Sequence, residues 1–463
     1  MISGKDLINM GYSPSKWFSK ALSYLNSNLL SDSETKNYLD SLNPKQETFS
    51  LLDSPVYFHK NIVAETPEEE DNIVSVTNVM SNLMKTPTAI NGAIMPDACP
   101  TSKEEIPVGG IIVTKNAIHP AFHSADICCS MMATDFGFVD PKIILDAAHQ
   151  QTHFGAGGRS DNKFSLPKEL ETKCRNNSFL SSQKSLFLAQ SHLGTQGDGN
   201  HFLFVGKSIN SGRTIMVTHH GSRGFGANLY KEGMIKAEIF RKLIGPSVPK
   251  KSAWIPYDTI EGKQYWEALQ IVREWTKYNH SVIHDAVLSS CSLLSSVKVE
   301  VLDRFWNEHN FVFKKDDDFY HAKGSTPLTQ EFVPDSTNGL RLIPLNMSEP
   351  ILVVRGESSV NNLGFAPHGA GRNTSRTAHK KKIEHKTVQE VFNEETSGLD
   401  IRFFSGSIDT SELPSAYKNA SSVKKQIEQF GLGEIVDEIY PYGCIMAGSQ
   451  NVNWKEKRRK RRS

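Results

Sequence analysis

The sequence has few cysteines, almost no net charge and no long apolar run. No stretch of its 463 residues approaches the roughly 18 apolar side chains of a membrane-spanning helix, so none is predicted. Six cysteines are too sparse for a disulfide framework, and the N-terminus lacks a basic segment followed by an apolar core. We therefore expect a reduced, cytoplasmic protein. A net charge of +1 argues against a uniformly basic coat for nucleic acid, although it leaves room for a local groove.

Positive charge is instead concentrated in two segments. Residues 372–386 are rich in arginine and lysine, and residues 455–462 are denser still. We expect residues 449–463 to form a solvated basic tail, with contact to an RNA backbone as the alternative.

Apolar patterning predicts an α/β (α+β) fold. Short β-branched runs bounded by turn signals predict buried strands at 111–113, 201–205, 214–218, 342–344 and 351–354. Apolar residues that recur every three or four positions predict helices within 226–300, at 388–392 and at 423–430.

Three segments are predicted along the chain. Residues 1–72 form an N-terminal extension, in which Ser13 and Pro14 begin a helix that runs to about Leu30. The extension ends in the acidic stretch Glu65–Asn72, which we expect to be a solvated linker or surface loop. Residues 73–448 form one large domain of mixed sheets with surrounding helices, and the basic tail follows.

A carboxylate and a thiol lie close together at Asp126 and Cys129, which are separated by two residues in a short, strained connection. Side chains at this spacing can reach one metal ion or two adjacent ions. A thiolate mixed with imidazoles suits Mn²⁺, Zn²⁺, Fe²⁺ or Co²⁺ rather than Mg²⁺ alone. Taken by itself, the segment favours a buried structural cysteine beside a loop aspartate.

Histidines at strand ends supply the missing ligands. His201 begins the run 201–205, and His219 follows the run 214–218 just before a Gly-Ser-Arg-Gly turn whose amides can cradle phosphate. His309 lies further along the chain. Each histidine alone fits a structural role, but their joint occurrence at the ends of strand-like runs predicts a metal site.

His368 differs from these histidines because it precedes Gly369-Ala370-Gly371-Arg372. A neutral imidazole that faces a glycine nest and a guanidinium group can attack phosphorus and form a phosphoramidate. The alternative is a helix-capping turn that only binds an anion. Together the clusters predict a phosphoryl- or nucleotidyl-transfer site.

A further histidine pair has the spacing of a helical zinc site but a different interpretation. His280 and His284 are four residues apart, yet no glutamate follows His280 to act as the base of a zinc protease. We interpret the pair as one face of a packed helix.

Taken together, these segments resemble the RtcB family of RNA ligases over about residues 73–448. The matching motifs are Met-Pro-Asp at 95–97, Asp-x-x-Cys at 126–129, Gly-Asn-His-Phe at 199–202, His-x-Gly-Ser-Arg-Gly at 219–224, His-Asn at 309–310 and His-Gly-Ala-Gly-Arg at 368–372.

The resemblance implies a metal centre, a nucleotide acceptor and a phosphate-binding set. Two Mn²⁺ ions would be bound, with the thiolate between them, by Asp126, Cys129, His201, His219 and His309. His368 would take GMP from GTP, and Asp97 would position or deprotonate the incoming hydroxyl. Phosphate groups of the nucleotide would be bound by Asn200, Ser222, Arg223, Gly369, Gly371 and Arg372.

The resemblance also implies the substrates. The guanylate would move to an RNA 3′-phosphate, and a 5′-hydroxyl end would then displace GMP to seal the strand. A 2′,3′-cyclic phosphate would first be opened, and an archease-like protein would act as an activating partner.

The departures from the family pattern cluster, and two of them fall at positions that contact the nucleobase in the family. Cys99 replaces a histidine, Phe204 stands where the family has glutamate, and Ala447 stands where it has lysine. Because the metal and phosphate elements are kept, we expect a divergent enzyme with relaxed or altered nucleotide preference. The alternatives are a metal-dependent phosphohydrolase that acts on RNA ends without ligation, and a non-catalytic RNA-binding relative.

Overall fold

The computed structural model describes residues 2–12, 17–42, 48–102, 104–161, 163–294, 299–336 and 338–449. The predictions for Ser13, Pro14 and residues 450–463 lie outside these ranges.

Helices and strands alternate along the described chain. The helices are α1 Gly4–Asn9, α2 Trp17–Ser27, α3 Asp32–Leu42, α4 Pro67–Leu83, α5 Pro141–Gln151, α6 Lys168–Asn176, α7 Gln183–Ser191, α8 Arg223–Ile244, α9 Ile260–Leu294, α10 Arg376–Lys382, α11 Val388–Glu395 and α12 Ala420–Gln429. The strands are β1 His59–Lys60, β2 Ala89–Cys99, β3 Val108–Lys115, β4 Ala117–Ile118, β5 Ser130–Asp135, β6 Phe202–Ser208, β7 Thr214–His220, β8 Ile255–Pro256, β9 Asp303–Glu308, β10 Asn310–Lys315, β11 Asp318–Lys323, β12 Ser325–Pro327, β13 Arg341–Pro344, β14 Ile351–Arg355, β15 Phe365–Pro367, β16 Asp400–Phe403 and β17 Glu434–Met446.

Two mixed sheets organise these elements, which confirms the predicted α/β class. The smaller sheet has the order β1-β2-β3-β11-β10. The larger sheet has the order β13-β14-β17-β6-β7-β5-β9, and β16 pairs with β17 beside this path. Two further two-stranded sheets are formed by β4 with β8 and by β12 with β15.

A single residue connects strand β9 of the larger sheet to strand β10 of the smaller one. β9 ends at Glu308 and β10 begins at Asn310, so His309 stands where the two sheets meet. A continuous apolar core fills the space between the sheets and the helices, with Trp275 of α9, Phe225 of α8 and Phe311 of β10 among its buried side chains. This junction positions the candidate site.

The predicted strands and helices are confirmed at each of the runs named above. One expectation was wrong, because residues 67–72 form the first turns of α4 rather than a solvated linker or loop. Thr66 accepts a hydrogen bond from the Glu69 amide, Pro67 occupies the first helical turn, and acidic side chains follow where the helix dipole favours negative charge. The negative charge that led us to expect a loop here belongs to the first turn of a helix.

The N-terminal segment is helical, as expected, and has a small core of its own. Leu7, Ala21, Leu25 and Leu39 of α1–α3 are buried against one another. Residues 59–60 already pair with β2 in the smaller sheet, so the segment before residue 73 contributes to the main body. The domain boundary at residue 72 stays a prediction. Among the described residues, the helices lack the combination of length and apolar character needed to cross a membrane.

Candidate active site and metal centre

A strained loop before β5 places Asp126 and Cys129. Ser124 and Cys128 have φ angles of 75° and 58°, a conformation that non-glycine residues adopt rarely. The loop is held by a hydrogen bond of 2.6 Å from the Cys128 amide to the Asn310 carbonyl. Gly221 makes room for the aspartate, because a Cβ atom there would lie 2.0 Å from a carboxylate oxygen of Asp126.

The five predicted metal ligands converge at the junction of the sheets. Cys129 Sγ lies 3.2 Å from His219 Nε2 and 3.5 Å from His201 Nε2. His219 Nε2 is 3.1 Å from His309 Nε2, and His201 Nε2 is 3.2 Å from Asp126 Oδ2. The atoms form two groups, Cys129-His219-His309 and Asp126-Cys129-His201, that share the sulfur.

The protonation states of this cluster suit cations. The Nδ1 of His219 lies 3.1 Å from the Asn200 carbonyl, to which it can only donate, so its Nε2 carries a lone pair towards the cluster. Burial lowers the pKa of His219 and of His309, which keeps both rings in the neutral form that ligates metals. A lone pair on His219 Nε2 and a neutral His309 ring, both close to the Cys129 sulfur, fit a bound metal ion.

Asp126 and Cys129 differ from each other in their electrostatics. Burial alone would raise the pKa of Asp126, but the adjacent His201 ring lowers it to about 2, so the group is a carboxylate. Burial and the charge of Asp126 raise the pKa of Cys129 well above its usual value. A metal ion supplies the positive charge that a buried thiolate needs.

His368 lies next to this cluster and is paired with Asp97. Its Nδ1 lies 2.6 Å from Asp97 Oδ2, which also accepts a bond of 3.1 Å from the His368 amide. Asp97 is fully buried, and the ring centres of His368 and His309 are 4.8 Å apart. The carboxylate fixes the Nδ1–H tautomer, so Nε2 of His368 has a free lone pair. In this structure the partner of Asp97 is therefore His368.

Gly371 and Lys418 hold these segments together, and Lys418 lies outside the predicted set. Gly371 has a φ of 71°, and a Cβ atom on it would lie 2.1 Å from the Asp97 carbonyl oxygen, so only glycine fits. The buried Lys418 donates bonds of 2.9 Å to the carbonyls of Pro96 and Ala98, and its amide donates to the Gly371 carbonyl. Lys418 thus ties the Asp97 strand to the glycine turn after His368, a role that its sequence context did not indicate.

A cavity with about 810 Å³ of empty space, partly open to solvent, lies beside His368. Four of the predicted phosphate-binding residues line it: Asn200, Gly369, Gly371 and Arg372. The Arg372 guanidinium donates 2.7 Å bonds to the Ser411 carbonyl and to Glu412, and it stacks 4.5 Å from the ring centre of Tyr417. Glu412 and Tyr417 also line the cavity, and sequence patterning missed both.

Ser222 and Arg223 do not line this cavity. The Ser222 hydroxyl donates to the Ile127 carbonyl, and the Arg223 guanidinium donates to Thr195 and to the Gly155 carbonyl. Their predicted phosphate contacts stay a prediction, because their side chains here serve the packing of the loop.

The interpretation of His280 and His284 as a packed helix face is confirmed. Both rings are fully buried on α9 and bond to hydroxyl groups of Ser130, Thr134 and Thr218. Neither belongs to a group of metal-binding side chains found among the described residues.

Comparison with known proteins adds a family to this geometry. The family model for the tRNA-splicing ligase RtcB matches residues 145–447, more than half of the chain. The chain belongs to the RtcB family. The matched range begins after Asp97, Asp126 and Cys129, so the geometry of the site is what connects these residues to the RtcB region.

Curated relatives agree with this assignment. The tRNA-splicing ligase RtcB of Thermococcus kodakarensis is 29% identical over 297 residues, which are 57% of this chain and 61% of the relative. That of Archaeoglobus fulgidus is 28% identical over 298 residues, with the same shares. The RNA-splicing ligase RtcB homolog 1 of Entamoeba dispar is 23% identical over 283 residues, 54% of this chain and 52% of the relative. The chain thus spans between half and two thirds of the length of these relatives.

Proposed function

We propose that this chain is an RNA ligase that joins RNA 3′-phosphate or 2′,3′-cyclic phosphate ends to 5′-hydroxyl ends. The observation that carries the proposal is the pairing of His368 with the buried Asp97, directly beside a cluster of five metal-ligating side chains. A hydrolase that opens phosphodiesters at such a cluster needs no nucleophilic histidine. The Asp97-supported imidazole favours nucleotidyl transfer instead.

His368 acts as the nucleophile in the first step. Its Nε2 forms a bond to the α-phosphorus of a nucleoside triphosphate while the bond from that phosphorus to pyrophosphate breaks. Because Nδ1 keeps its proton, the ring becomes cationic as the phosphorus–nitrogen bond forms. The negative charge of Asp97, 2.6 Å from Nδ1, stabilises that cation.

The ligation steps consume this adduct. An oxygen of the RNA 3′-phosphate attacks the same phosphorus, and the bond to His368 breaks. The 5′-hydroxyl of the second RNA end then attacks the 3′-phosphate, and the nucleoside monophosphate leaves. We expect the glycine turn at 369–371 to offer backbone amides to phosphate oxygens during these transfers.

The chemistry of the donors supports a pair of Mn²⁺ ions at the cluster. Asp126, Cys129, His201, His219 and His309 would hold them, with the sulfur shared. Bound there, the ions would supply Lewis-acid stabilisation of phosphate charge. We propose GTP as the nucleotide, since the family implies it. We also propose an archease-like activating partner and a cytoplasmic location.

Labelling with radioactive nucleotides tests the proposal. The purified chain is incubated with Mn²⁺ and each of the four α-³²P-labelled triphosphates, and the adduct is mapped by mass spectrometry. We expect an acid-labile label on His368, with none on a His368→Ala variant. RNA with a 3′-phosphate and a 5′-hydroxyl should then be sealed by the labelled protein.

The outcomes separate the proposal from its rivals. Opening of a 2′,3′-cyclic phosphate by both wild type and His368→Ala, without any labelled protein, would identify a phosphohydrolase. Salt-dependent RNA binding without nucleotide turnover would identify a non-catalytic relative.

A further inference from the structure

One wall of the cavity beside His368 is built from one face of the larger sheet. Phe202 and Phe204 alternate along β6 and therefore share a face. Their cross-strand partners on β17 are Met446 and Cys444, and all four side chains line the cavity. Phe204, Cys444 and Met446 are each at most 3% exposed, so their positions are fixed by packing.

Two further apolar side chains extend this wall. Ile351 of β14 and Met347 of the preceding turn are 1% and 6% exposed and also line the cavity. The six residues Phe202, Phe204, Cys444, Met446, Met347 and Ile351, which we call the apolar wall, have no carboxylate, amide or hydroxyl group. The backbone of β6 and β17 is engaged in the sheet, so it offers few free groups either.

The polar groups at the end of the cavity are largely committed to one another. Glu412 pairs with Arg372 and with Arg376 at 2.7 Å each, and it accepts the Tyr417 hydroxyl at 2.5 Å. Asn346 accepts a bond of 2.9 Å from the Ser348 amide through its side-chain oxygen. These groups can contact sugar or phosphate, but they form no acceptor pair that matches the donors on a guanine edge.

We infer that the nucleotide cavity holds the base by apolar contact and stacking on this wall, so that adenine nucleotides serve beside guanine nucleotides. The inference rests on the proposed function, since it takes the cavity beside His368 to bind the nucleotide. Guanine presents the ring N1–H and the N2 amino group as donors, and selecting it against adenine by these donors needs a carboxylate or carbonyl on the wall. Phe204 and its neighbours provide none, and burying unmatched donors against them disfavours guanine rather than selecting it.

The first measurement compares rates of His368 labelling with ATP and with GTP at equal concentration. Apolar pockets discriminate by about 10- to 200-fold, whereas sites built to hydrogen-bond a ligand reach about 10⁴- to 10⁵-fold. We expect any preference for GTP over ATP to stay below about 200-fold. A larger preference for GTP overturns the inference and leaves the ligase proposal intact.

Nucleotide binding separates failure of the inference from failure of the proposed function. Equilibrium dialysis of labelled ATP and GTP with the His368→Ala chain measures occupancy of the cavity without covalent chemistry. If no triphosphate labels the wild type, the ligase proposal fails, and dialysis alone decides the inference. Comparable binding of ATP and GTP supports it, and binding of GTP alone or of neither overturns it.

A substitution in the wall tests where the base lies. Phe204→Glu places two acceptor oxygens where the aromatic ring stands, and these match the guanine N1 and N2 donors. We expect the GTP-to-ATP ratio of labelling to rise at least about tenfold, since a new hydrogen bond to a charged group contributes about that much. Phe204→Leu keeps the wall apolar and should leave the ratio unchanged.

A second acidic variant covers the case in which Phe204→Glu does not fold. Met347 lies in the turn between β13 and β14 rather than within a strand, so Met347→Glu disturbs no ladder. The same rise in the ratio is expected for it. If both acidic variants fold and the GTP-to-ATP labelling ratio is unchanged in each, the base does not contact the wall. That result overturns the inference.

Discussion

At the scale of single residues, the site depends on side chains whose protons are placed by their neighbours. His219 has its Nδ1 proton fixed by the Asn200 carbonyl, and His368 has its Nδ1 proton fixed by Asp97. Each ring then directs the lone pair of Nε2 to where chemistry is expected. We propose that the same residue type serves as a metal ligand at His219 and as a nucleophile at His368 because a different acceptor stands behind each ring.

Asp97→Asn tests this division of roles. The amide oxygen can still accept the Nδ1 proton, but it carries no charge to stabilise the cationic ring. We expect the rate of His368 labelling to fall by about 10²- to 10⁴-fold while the KM for nucleotide changes little. Single-turnover labelling across nucleotide concentrations measures both quantities.

Asp135→Asn is the matched control, because Asp135 lies at the far end of β5 and pairs with Arg213. It should label normally. A rise in KM with an unchanged labelling rate in Asp97→Asn would contradict the role of Asp97 as the positioning residue of His368.

At the scale of elements, helix α9 is fixed to the larger sheet by a chain of hydrogen bonds. Arg304 can only donate, and its Nε donates to the Thr134 hydroxyl at 3.0 Å. The Thr134 hydroxyl also bonds to His284 Nδ1 at 2.6 Å, and His284 Nε2 bonds to the Thr218 hydroxyl at 2.7 Å. Thr218 bonds in turn to His280 Nδ1 at 2.6 Å. The strand that carries His219 is thereby held against α9.

Thr218→Val removes the middle of this chain while keeping the side-chain shape. It leaves one buried nitrogen on each of His280 and His284 without a partner. We expect the free energy of unfolding to fall by about 2–5 kcal/mol, since each buried unsatisfied group costs about 1–3 kcal/mol. Urea denaturation measures the loss.

Thr172→Val is the control for this change, because the exposed Thr172 hydroxyl bonds only to the Lys168 carbonyl within its own helix. It should shift the free energy by less than about 0.5 kcal/mol. Equal effects of the two substitutions would contradict the buried chain.

Sequence patterning predicted helices and strands better than it predicted the side chains that complete the site from distant turns. Local motifs could be predicted because each lies within a few residues. Examples are the apolar runs around 201–205 and 214–218 with the histidines beside them. Glu412, Tyr417 and Lys418 were not, since they come from short turns between α11 and α12 that have no periodic pattern. The acidic start of α4 was misread because negative charge suits both a surface loop and a helix N-terminus.

At the scale of the whole molecule, the site exists only because two sheets meet. Cys129, His201 and His219 come from the larger sheet, Asp97 from the smaller one, and His309 from the residue between them. The sequence could indicate which residues carry chemistry, but not this convergence, which depends on contacts between segments 72 to 271 positions apart. Stability of the body and integrity of the site are therefore linked.

Three buried histidines, His119, His123 and His321, predict a pH dependence of stability. His119 bonds to Thr88 and stacks on Phe122, and burial lowers its pKa to about 3. Burial lowers the pKa of His123 to about 4 and that of His321 well below its usual value. These rings stay neutral when folded, whereas an unfolded chain binds their protons below about pH 6.5.

The free energy of unfolding should therefore fall as the pH drops below about 6.5. The unfolded state binds more protons in this range, so each such histidine contributes a slope of up to about 1.4 kcal/mol per pH unit. Urea titrations of metal-free protein at pH 7.5, 6.5 and 5.5 measure the slope. His119→Gln should reduce it by up to that amount, and a slope that is unchanged in this variant would contradict the neutral buried state of His119.

We propose that two metal ions share Cys129, and anomalous diffraction from crystals grown with Mn²⁺ tests this proposal most directly. We expect two peaks in contact with Cys129 Sγ, one beside His219 and His309 and the other beside Asp126 and His201. Cys129→Ser should lose most of the bound metal by elemental analysis, while Cys128→Ser, next to it in the same loop, should retain both ions. Peaks that avoid the sulfur, or full metal content in Cys129→Ser, would contradict the account.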